Sequence, residues 1–126
     1  MLEICNLTIS DYQSTWLAMK QYVQRIEKQD QIWLLEHDPV YTQGVAGKPE
    51  HLLHRCDIPV IQSDRGGQIT YHGPGQLIAY PLLDIKKLNI SIKQLVEHLQ
   101  STVMQTLDHF GIHSHKINGM PGVFVQ

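Results

Sequence analysis

The sequence predicts an α+β fold, with mixed and antiparallel sheets and two amphipathic helices. Two apolar stripes with helical spacing support this prediction, together with short apolar runs separated by turn signals. Some of the predicted strands are joined by tight turns, which favours an α+β sandwich over a doubly wound sheet. A chain of 126 residues fits one domain, so residues 1–126 are expected to form a single domain.

The N-terminal part predicts an edge strand followed by a helix. The strand covers Leu2 to Leu7, and Ser10 or Asp11 can cap the helix. The helix is expected over about residues 12–28, because apolar residues recur there at spacings of four and three. Its apolar stripe, for which core packing is the expected role, consists of Tyr12, Trp16, Met19, Val23 and Ile26.

Two extended segments follow this helix. Ile32 to Leu35 is predicted as a strand that ends within residues 36–39, because a residue that precedes proline avoids the helical region. Extended structure resumes over Val40–Gly44, and Gly47–Pro49 marks a loop.

Several chemically useful side chains are concentrated between Ser63 and Tyr80, in the sequence SDRGGQITYHGPGQLIAY. The apolar run Pro59–Ile61 is predicted as a strand. The paired glycines that follow, residues 66 and 67, can adopt positive φ and let a ligand approach the main chain. Exposed N–H groups in such a turn can form an anion-binding nest. Arg65 adds a planar cation suited to a carboxylate, a phosphate or a polarised carbonyl.

The next residues predict a strand, a turn and a second strand. Alternation over Gln68–His72 places Gln68, Thr70 and His72 on one face and Ile69 and Tyr71 on the other. Gly73-Pro74-Gly75 fits a type II turn, and Gln76 to Leu83 is expected to return as a buried strand. The local pattern fits equally well a simple glycine-containing hairpin with solvent on its polar face.

A second helix is predicted from Ser91, which has the spacing of a capping box with Gln94. Gly111 occupies the position of a C′ residue. Beyond it, Ile112–Ile117 is expected as a strand, residues 118–122 as a loop and Val123–Val125 as another strand. The apolar stripe of the helix consists of Ile92, Leu95, Leu99, Val103, Leu107 and Phe110.

Composition excludes several classes of function. The net charge of −2 lacks the basic excess of a nucleic-acid binder. Cys5 and Cys56 lie far apart without a CxxC motif, which suits a reducing compartment. Neither a signal peptide nor an apolar run of membrane-spanning length is present. We therefore expect a cytoplasmic protein without a membrane or nucleic-acid partner.

The motif RGGQITYHGPGQLIAY is similar to the signature of the octanoyltransferases of lipoate biosynthesis, which are relatives of the lipoate and biotin protein ligases. Matching flanks extend the resemblance over nearly the whole chain: IWLLEHDPVYTQG at 32–44, DIPVIQSDRGG at 57–67 and PGVFV at 121–125. The resemblance implies the mixed sheet of the biotin/lipoate protein ligase fold. It also implies that residues 1–126 form the N-terminal portion of a catalytic domain.

The resemblance implies octanoyl transfer from octanoyl-acyl carrier protein, without a cofactor. The acceptors would be lysines on the lipoyl domains of 2-oxoacid dehydrogenases and on the glycine cleavage H protein. In the family an enzyme thiolate receives the acyl group first, which splits one difficult transfer into two easier ones. The family cysteine, in a Pro-Cys-Gly context, and its partner lysine correspond to positions beyond Gln126. We therefore expect a chain truncated at its C-terminus that contains no catalytic residue and is inactive alone.

The substrate-binding stretch implied by the resemblance consists of Arg65, Gly66, Gly67, Gln68, Ile69, Thr70, Tyr71 and His72. The two glycines are assigned to backbone approach around the acyl carbonyl, and Arg65 and His72 to polar positioning. Ile69, Tyr71 and Leu77 are either apolar wall for the acyl chain or ordinary core, and core is favoured.

Three alternatives remain. The first is a metal-binding module, suggested by the clustered histidines; these histidines lack the accompanying carboxylates or cysteines of zinc sites. The second is a lipoate-ligase-like or non-catalytic acyl- or carrier-protein-binding module on the same fold. The third is an inactive half that needs a second polypeptide. The histidines in question are His51 and His54, with HxxH spacing, and His109, His113 and His115.

Overall fold

The structure is a computed structural model that describes residues 1–48 and 57–126. These residues form two compact units, Met1–Leu83 and Asp84–Gln126. Pro49, the predicted HxxH pair and Cys56 lie outside the described residues. Small sheets and two helices confirm the predicted α+β class.

The described residues of the first unit, 1–48 and 57–83, form one helix and two three-stranded sheets. In chain order, its elements are β1 (Leu2–Ser10), α1 (Tyr12–Val23), β2 (Asp30–His37), β3 (Val40–Gln43), β4 (Val60–Gln62), β5 (Ile69–His72) and β6 (Ile78–Leu82). One sheet has the order β1-β2-β6, and the other has the order β4-β3-β5. In each sheet the central strand pairs with one neighbour in parallel and with the other in antiparallel orientation.

Helix α1 begins as predicted and ends earlier than predicted. Asp11 is its N-cap, and its Oδ2 accepts from the Ser14 N–H at 2.9 Å. Hydrogen bonds from the Ser14 backbone and side chain lower the pKa of the Asp11 carboxyl. The helix ends at Val23 because the chain turns back there, and the Tyr22 hydroxyl donates to the Gln29 carbonyl at 2.6 Å.

The early end of α1 changes which of its residues are buried. Tyr12, Thr15 and Tyr22 form the buried face. The predicted stripe is wrong at its last two positions, Val23 and Ile26, since Val23 is exposed and Ile26 is 100% exposed.

The chain passes twice between the two sheets of the first unit. After β2 it runs through Asp38 and Pro39 directly into β3, which places His37 and Thr42 in the interior, both fully buried. It returns from β5 to β6 through the predicted Gly73-Pro74-Gly75 turn. Gly75 has φ +91°, and the Gln76 N–H donates to the Gly73 carbonyl at 3.1 Å.

The second unit consists of α2 (Ile92–His109), β7 (His115–Ile117) and β8 (Met120–Phe124). The predicted capping box of Ser91 and Gln94 is present. Gly111, at φ +73°, donates to the Asp108 carbonyl, and Ile112 donates to the Leu107 carbonyl. These two bonds form a Schellman motif at the predicted C-terminus.

One expectation for the second unit is wrong. Residues 118–122 are not a loop, because Gly119 at φ +79° permits a tight turn and β8 pairs with β7 from Met120 onward. Helix α2 buries none of its residues, and the two ends of its apolar stripe, Ile92 and Phe110, are 70% and 72% exposed. Within the described ranges, no helix combines the length and apolarity that crossing a membrane requires.

Candidate functional site

A cleft of about 430 Å³ opens in the first unit beside α1, β5 and β6. Three of the eight predicted substrate-binding residues line it, namely Arg65, Thr70 and His72. Among the described residues, the lining consists of Tyr12, Trp16, Met19, Ser63, Asp64, Arg65, Thr70, His72, Ile78 and Tyr80.

The Arg65 guanidinium is bound mainly by groups of its own surroundings. Its Nε and Nη2 donate to Thr42 Oγ1 at 3.1 and 2.9 Å. Nη2 also contacts the Thr42 carbonyl at 2.8 Å, the Gln68 carbonyl at 2.6 Å and Thr70 Oγ1 at 3.0 Å. Nη1 donates to the Gly66 carbonyl at 2.8 Å, so one Nη1 hydrogen has no partner among the described residues. Arg65 therefore braces the loop more than it reaches into the cleft.

Residues 65–68 form a loop that is held against residues 44–46, and we call these residues the glycine loop. The N–H groups of Gly44, Val45 and Ala46 donate to carbonyls of this loop at 3.1, 3.0 and 3.0 Å. Gly67 has φ +88°, as predicted for this turn. Apart from its two chain neighbours, no residue that the structure describes has a heavy atom within 4 Å of the place where a Gly66 Cβ would stand. Gly66 is thus the point of the loop that a ligand can approach most closely.

Gly44 is a residue of this site that the sequence reasoning missed. A Cβ added there would stand 2.3 Å from the Gly67 carbonyl oxygen and 2.9 Å from that of Gly66. The sequence does contain one indication of this role: Gly44 ends a predicted strand, and a glycine there often marks a place where another backbone segment approaches closely.

The ring of His72 is held by hydrogen bonds on both nitrogens. Nδ1 lies 2.6 Å from Gln76 Oε1, which can only accept, so Nδ1 carries the proton. In the neutral ring Nε2 is then an acceptor, and the Thr42 hydroxyl lies 3.5 Å from it. That hydroxyl oxygen already accepts from Arg65, so its proton is free to point to His72. Arg65, Thr42, His72 and Gln76 thereby form one continuous network.

A second histidine, His37 at the end of β2, lies buried beside the cleft. Its Nδ1 is 2.8 Å from the Ser10 carbonyl and its Nε2 is 2.8 Å from the Tyr80 hydroxyl. Rings of Tyr12, His72 and Tyr80 surround it, with centroids at 5.2, 6.3 and 5.8 Å. Burial raises the pKa of Tyr80 to about 12, so the phenol keeps its proton at neutral pH. The sequence reasoning missed both His37 and Tyr80 as site residues.

The predicted alternation along β5 is confirmed for its central residues. Thr70 and His72 face the cleft, whereas Tyr71 packs its ring on Tyr41, with centroids 5.4 Å apart. Core packing is wrong for Leu77, which lies between the glycine turn and β6 and is 71% exposed, and for Tyr71, which is 43% exposed. The other predicted residues do not line the cleft; they are Gly66, Gly67, Gln68, Ile69 and Tyr71.

A salt bridge joins α1 to the segment before the glycine loop at the cleft rim. Lys20 Nζ lies 3.8 Å from Asp64 Oδ2 and 4.1 Å from the ring centroid of Trp16. Both charged side chains are largely exposed, so the pair contributes little to stability.

No group of three or more potential metal ligands is gathered in residues 1–48 or 57–126. His109, His113 and His115, on which the metal-binding alternative partly rests, lie within these ranges and therefore form no such group.

Comparison with known proteins gives three findings. The family model of the lipoyl protein ligase A/B catalytic domain matches residues 11–126. An octanoyltransferase of Shewanella halifaxensis is 51% identical over 127 residues, which are 99% of this chain and 58% of that protein. An octanoyltransferase of Cellvibrio japonicus is 50% identical over 128 residues, which are 100% of this chain and 60% of that protein. The chain therefore spans less than two thirds of the length of these relatives.

The fold resembles that of a candidate lipoate protein ligase from T. acidophilum, solved alone and with bound lipoic acid. The TM-score is 0.68 at 14% identity, over 97% of this chain and 57% of the other. This similarity confirms the expected lipoate ligase fold.

Proposed function

We propose a function for this chain on one premise: it belongs to the family of the lipoyl protein ligase A/B catalytic domain. The function is octanoyl transfer in lipoate biosynthesis, from octanoyl-acyl carrier protein to a lysine of a lipoyl domain. Residues 1–126 supply the N-terminal portion of a single catalytic domain and its substrate-binding part. The relatives that are about half identical and are named octanoyltransferases support this choice.

The observation that carries the proposal is the glycine loop, whose Arg65 lines the cleft. The loop combines an open main chain at Gly66 with a brace, Arg65, that fixes its shape. A preorganised backbone of this kind suits a polarised acyl carbonyl, because it needs no rearrangement as charge develops on the oxygen. Thr70 and His72 form the adjoining wall.

We assign substrate binding to the segment Arg65–His72, in which some residues contact the substrate and others hold them in place. Gly66 and Gly67 approach the acyl carbonyl, and Thr70 and His72 contact the rest of the thioester. Arg65 acts by holding these groups in place. The remaining members, Gln68, Ile69 and Tyr71, shape the loop and strand from positions outside the cleft lining.

The reaction proceeds in two acyl transfers. A thiolate attacks the octanoyl thioester, a new C–S bond forms, and the phosphopantetheine thiolate leaves and takes a proton. The neutral amine of the acceptor lysine then attacks the enzyme thioester, an amide forms, and the enzyme thiol is released. By resemblance, neither Cys5 nor Cys56 matches the family nucleophile, so this chain contributes binding and orientation. The two transfers, as written, use no cofactor.

The acceptors we infer are the lipoyl domains of 2-oxoacid dehydrogenases and the glycine cleavage H protein. The compartment we infer is the cytoplasm, because two cysteines far apart in sequence suit a reducing environment.

A chimaera tests the proposal. Residues 1–126 replace the matched segment of the Shewanella halifaxensis octanoyltransferase, and transfer from octanoyl-acyl carrier protein to a lipoyl domain is followed by intact mass. We expect the chimaera to octanoylate the lipoyl domain, and the 126-residue chain alone to leave it unmodified. A folded chimaera without turnover would contradict the proposal. Turnover by the chain alone that survives Cys5→Ser with Cys56→Ser would contradict the assigned mechanism.

The fold similarity to a candidate lipoate protein ligase supports one alternative, an ATP-dependent ligase. A ligase would use free octanoate and ATP in place of the thioester. We expect the chimaera to give no lipoyl-domain product with octanoate and ATP. A product formed under those conditions, and absent with octanoyl-acyl carrier protein, would favour the ligase.

A further inference from the structure

We propose that His37 is a positioning residue that turns the Tyr80 hydroxyl into a hydrogen-bond acceptor facing the cleft, where it binds an N–H group of the ligand. The inference rests on the proposed function, because it concerns the thioester that occupies the same cleft. Tyr80 would then be the polar group through which the cleft binds the part of the carrier arm that lies next to the acyl thioester.

The first step concerns the tautomer of His37. Its Nδ1 lies 2.8 Å from the carbonyl oxygen of Ser10, which can only accept. Nδ1 must therefore carry a proton. The ring is fully buried and both of its hydrogen-bond partners are neutral groups, while the nearby carboxylate of Asp11 is bound by Ser14 and not by His37, so this geometry assigns the neutral ring. The neutral ring then leaves Nε2 as an acceptor.

The second step concerns the direction of the bond between His37 and Tyr80. Nε2 can only accept, so at 2.8 Å the Tyr80 hydroxyl must donate to it. Burial keeps the phenol protonated at neutral pH, since it raises the pKa of Tyr80 to about 12. Tyr80 has one hydroxyl proton, and that proton is committed to His37. Its oxygen can offer only lone pairs to the cleft that it lines.

The third step concerns the other polar groups of the cleft. The Nδ1–H of His72 is directed to Gln76, and its Nε2 faces Thr42. The exposed carboxylate of Asp64 at the rim is a further acceptor. Arg65 and Thr70 also line the cleft and can donate, Arg65 through its remaining Nη1 hydrogen and Thr70 through its hydroxyl, so an acceptor of the ligand can bind to them. At Tyr80 itself the lone pairs favour a ligand that brings a donor, such as the amide of an acyl-carrier arm, over one that brings a carboxylate, and Asp64 adds a second acceptor.

Two small thioesters provide the test. S-octanoyl-N-acetylcysteamine carries one amide N–H beside the thioester, and the octanoyl thioester of 2-mercaptoethyl acetate has an ester in its place. Binding of each to the 126-residue chain is measured by calorimetric titration or NMR shift perturbation. We expect the chain to favour the amide by roughly 3- to 10-fold, the effect of one neutral hydrogen bond.

The variants separate a positioning role from a structural one. Tyr80→Phe should remove the preference and leave the ester affinity unchanged. His37→Phe should also remove it although Tyr80 is present, because the freed hydroxyl can rotate and donate to either ligand. Tyr41→Phe is the matched control, since its ring packs on Tyr71 away from the cleft, and it should keep the preference.

Nitrogen NMR of the wild-type chain tests the hydrogen-bond direction independently of any variant. We expect His37 to show a protonated Nδ1 and an unprotonated Nε2, with the Nε2 shift moving in Tyr80→Phe. A protonated Nε2 with a bare Nδ1 would overturn the inference, even if His37→Phe failed to fold.

The binding outcomes distinguish two kinds of failure. Equal binding of amide and ester by the wild type, or a preference that persists in Tyr80→Phe, would overturn the inference alone. Binding of neither thioester, together with an inactive chimaera, would overturn the proposed function and this inference with it.

Discussion

Gly44→Ala is expected to destabilise the first unit strongly, because a methyl group at this position meets the backbone of the glycine loop. The added Cβ would stand 2.3 Å from the Gly67 carbonyl oxygen and 2.8 Å from its carbon. Ordinary carbon–oxygen contacts begin near about 3.3 Å. The loop or the strand end must therefore move by about 1 Å, and no flexible side chain can yield in its place.

The cost follows from the hydrogen bonds that the movement breaks. Three amide-to-carbonyl bonds of 3.0 to 3.1 Å join residues 44–46 to the loop. A shift of about 1 Å takes such bonds beyond useful length. At about 0.5–1.5 kcal/mol each, the loss of all three lowers the free energy of unfolding by about 1.5–4.5 kcal/mol.

Urea unfolding followed by tryptophan fluorescence measures this loss selectively. Both tryptophans of the chain, Trp16 and Trp33, belong to the first unit, so the signal reports that unit. Gly66→Ala is the matched control: its Cβ would meet no atom of the described residues beyond its chain neighbours and its φ is not positive, so the midpoint should stay near the wild-type value. A Gly44→Ala midpoint equal to that of Gly66→Ala would refute the reasoning.

Three further predictions concern Arg65, Asp11 and His72. Arg65→Lys keeps the charge but loses the planar guanidinium, so the buried Thr42 oxygens lose their hydrogen-bond donors. We expect the free energy of unfolding in urea to fall by about 2–3 kcal/mol. A change below about 0.5 kcal/mol, the size of an ordinary surface effect, would argue against the bracing role. Asp11→Ala removes the N-cap of α1 and should cost about 1 kcal/mol at pH 7. Because the pKa of Asp11 in the folded protein lies below the ordinary 3.8, this contribution is present above pH 3.8 and is lost as the pH falls through the folded pKa. Curves of stability against pH for the wild type and Asp11→Ala that stay parallel into strong acid would contradict this prediction. In the chimaera, His72→Ala should lower acyl transfer by a factor on the order of 10 to 1,000, and an unchanged rate in the folded protein would remove His72 from the site.

Much of the local structure could be predicted because neighbouring residues decide it. The Asp11 cap, the capping box at Ser91 and the αL residue Gly111 each act within one helical turn. Alternation along β5 similarly placed Thr70 and His72 on the cleft face, because side chains of a strand point to opposite sides in turn.

The ends and burial of the helices were decided by longer-range contacts. Helix α1 ends at Val23, where Tyr22 reaches the Gln29 carbonyl, although the apolar spacing continues to Ile26. Periodicity likewise predicted the stripe of α2 correctly as an amphipathic pattern, and it could not show that α2 buries none of these residues. Spacing describes one element at a time, whereas burial depends on what packs against that element.

The sequence by itself determined the family resemblance and the α+β class, and it predicted Arg65–His72 as the substrate-binding segment. Only the tertiary structure showed that the Arg65 guanidinium is hydrogen-bonded to Thr42, 23 residues away, and that His37 is hydrogen-bonded to Tyr80, 43 residues away. These pairs form because β2 continues into β3 through Pro39, which carries His37 and Thr42 into the interior beside strands from later in the chain. A hydrogen bond has no sequence signal when strand pairing alone brings its donor and acceptor together.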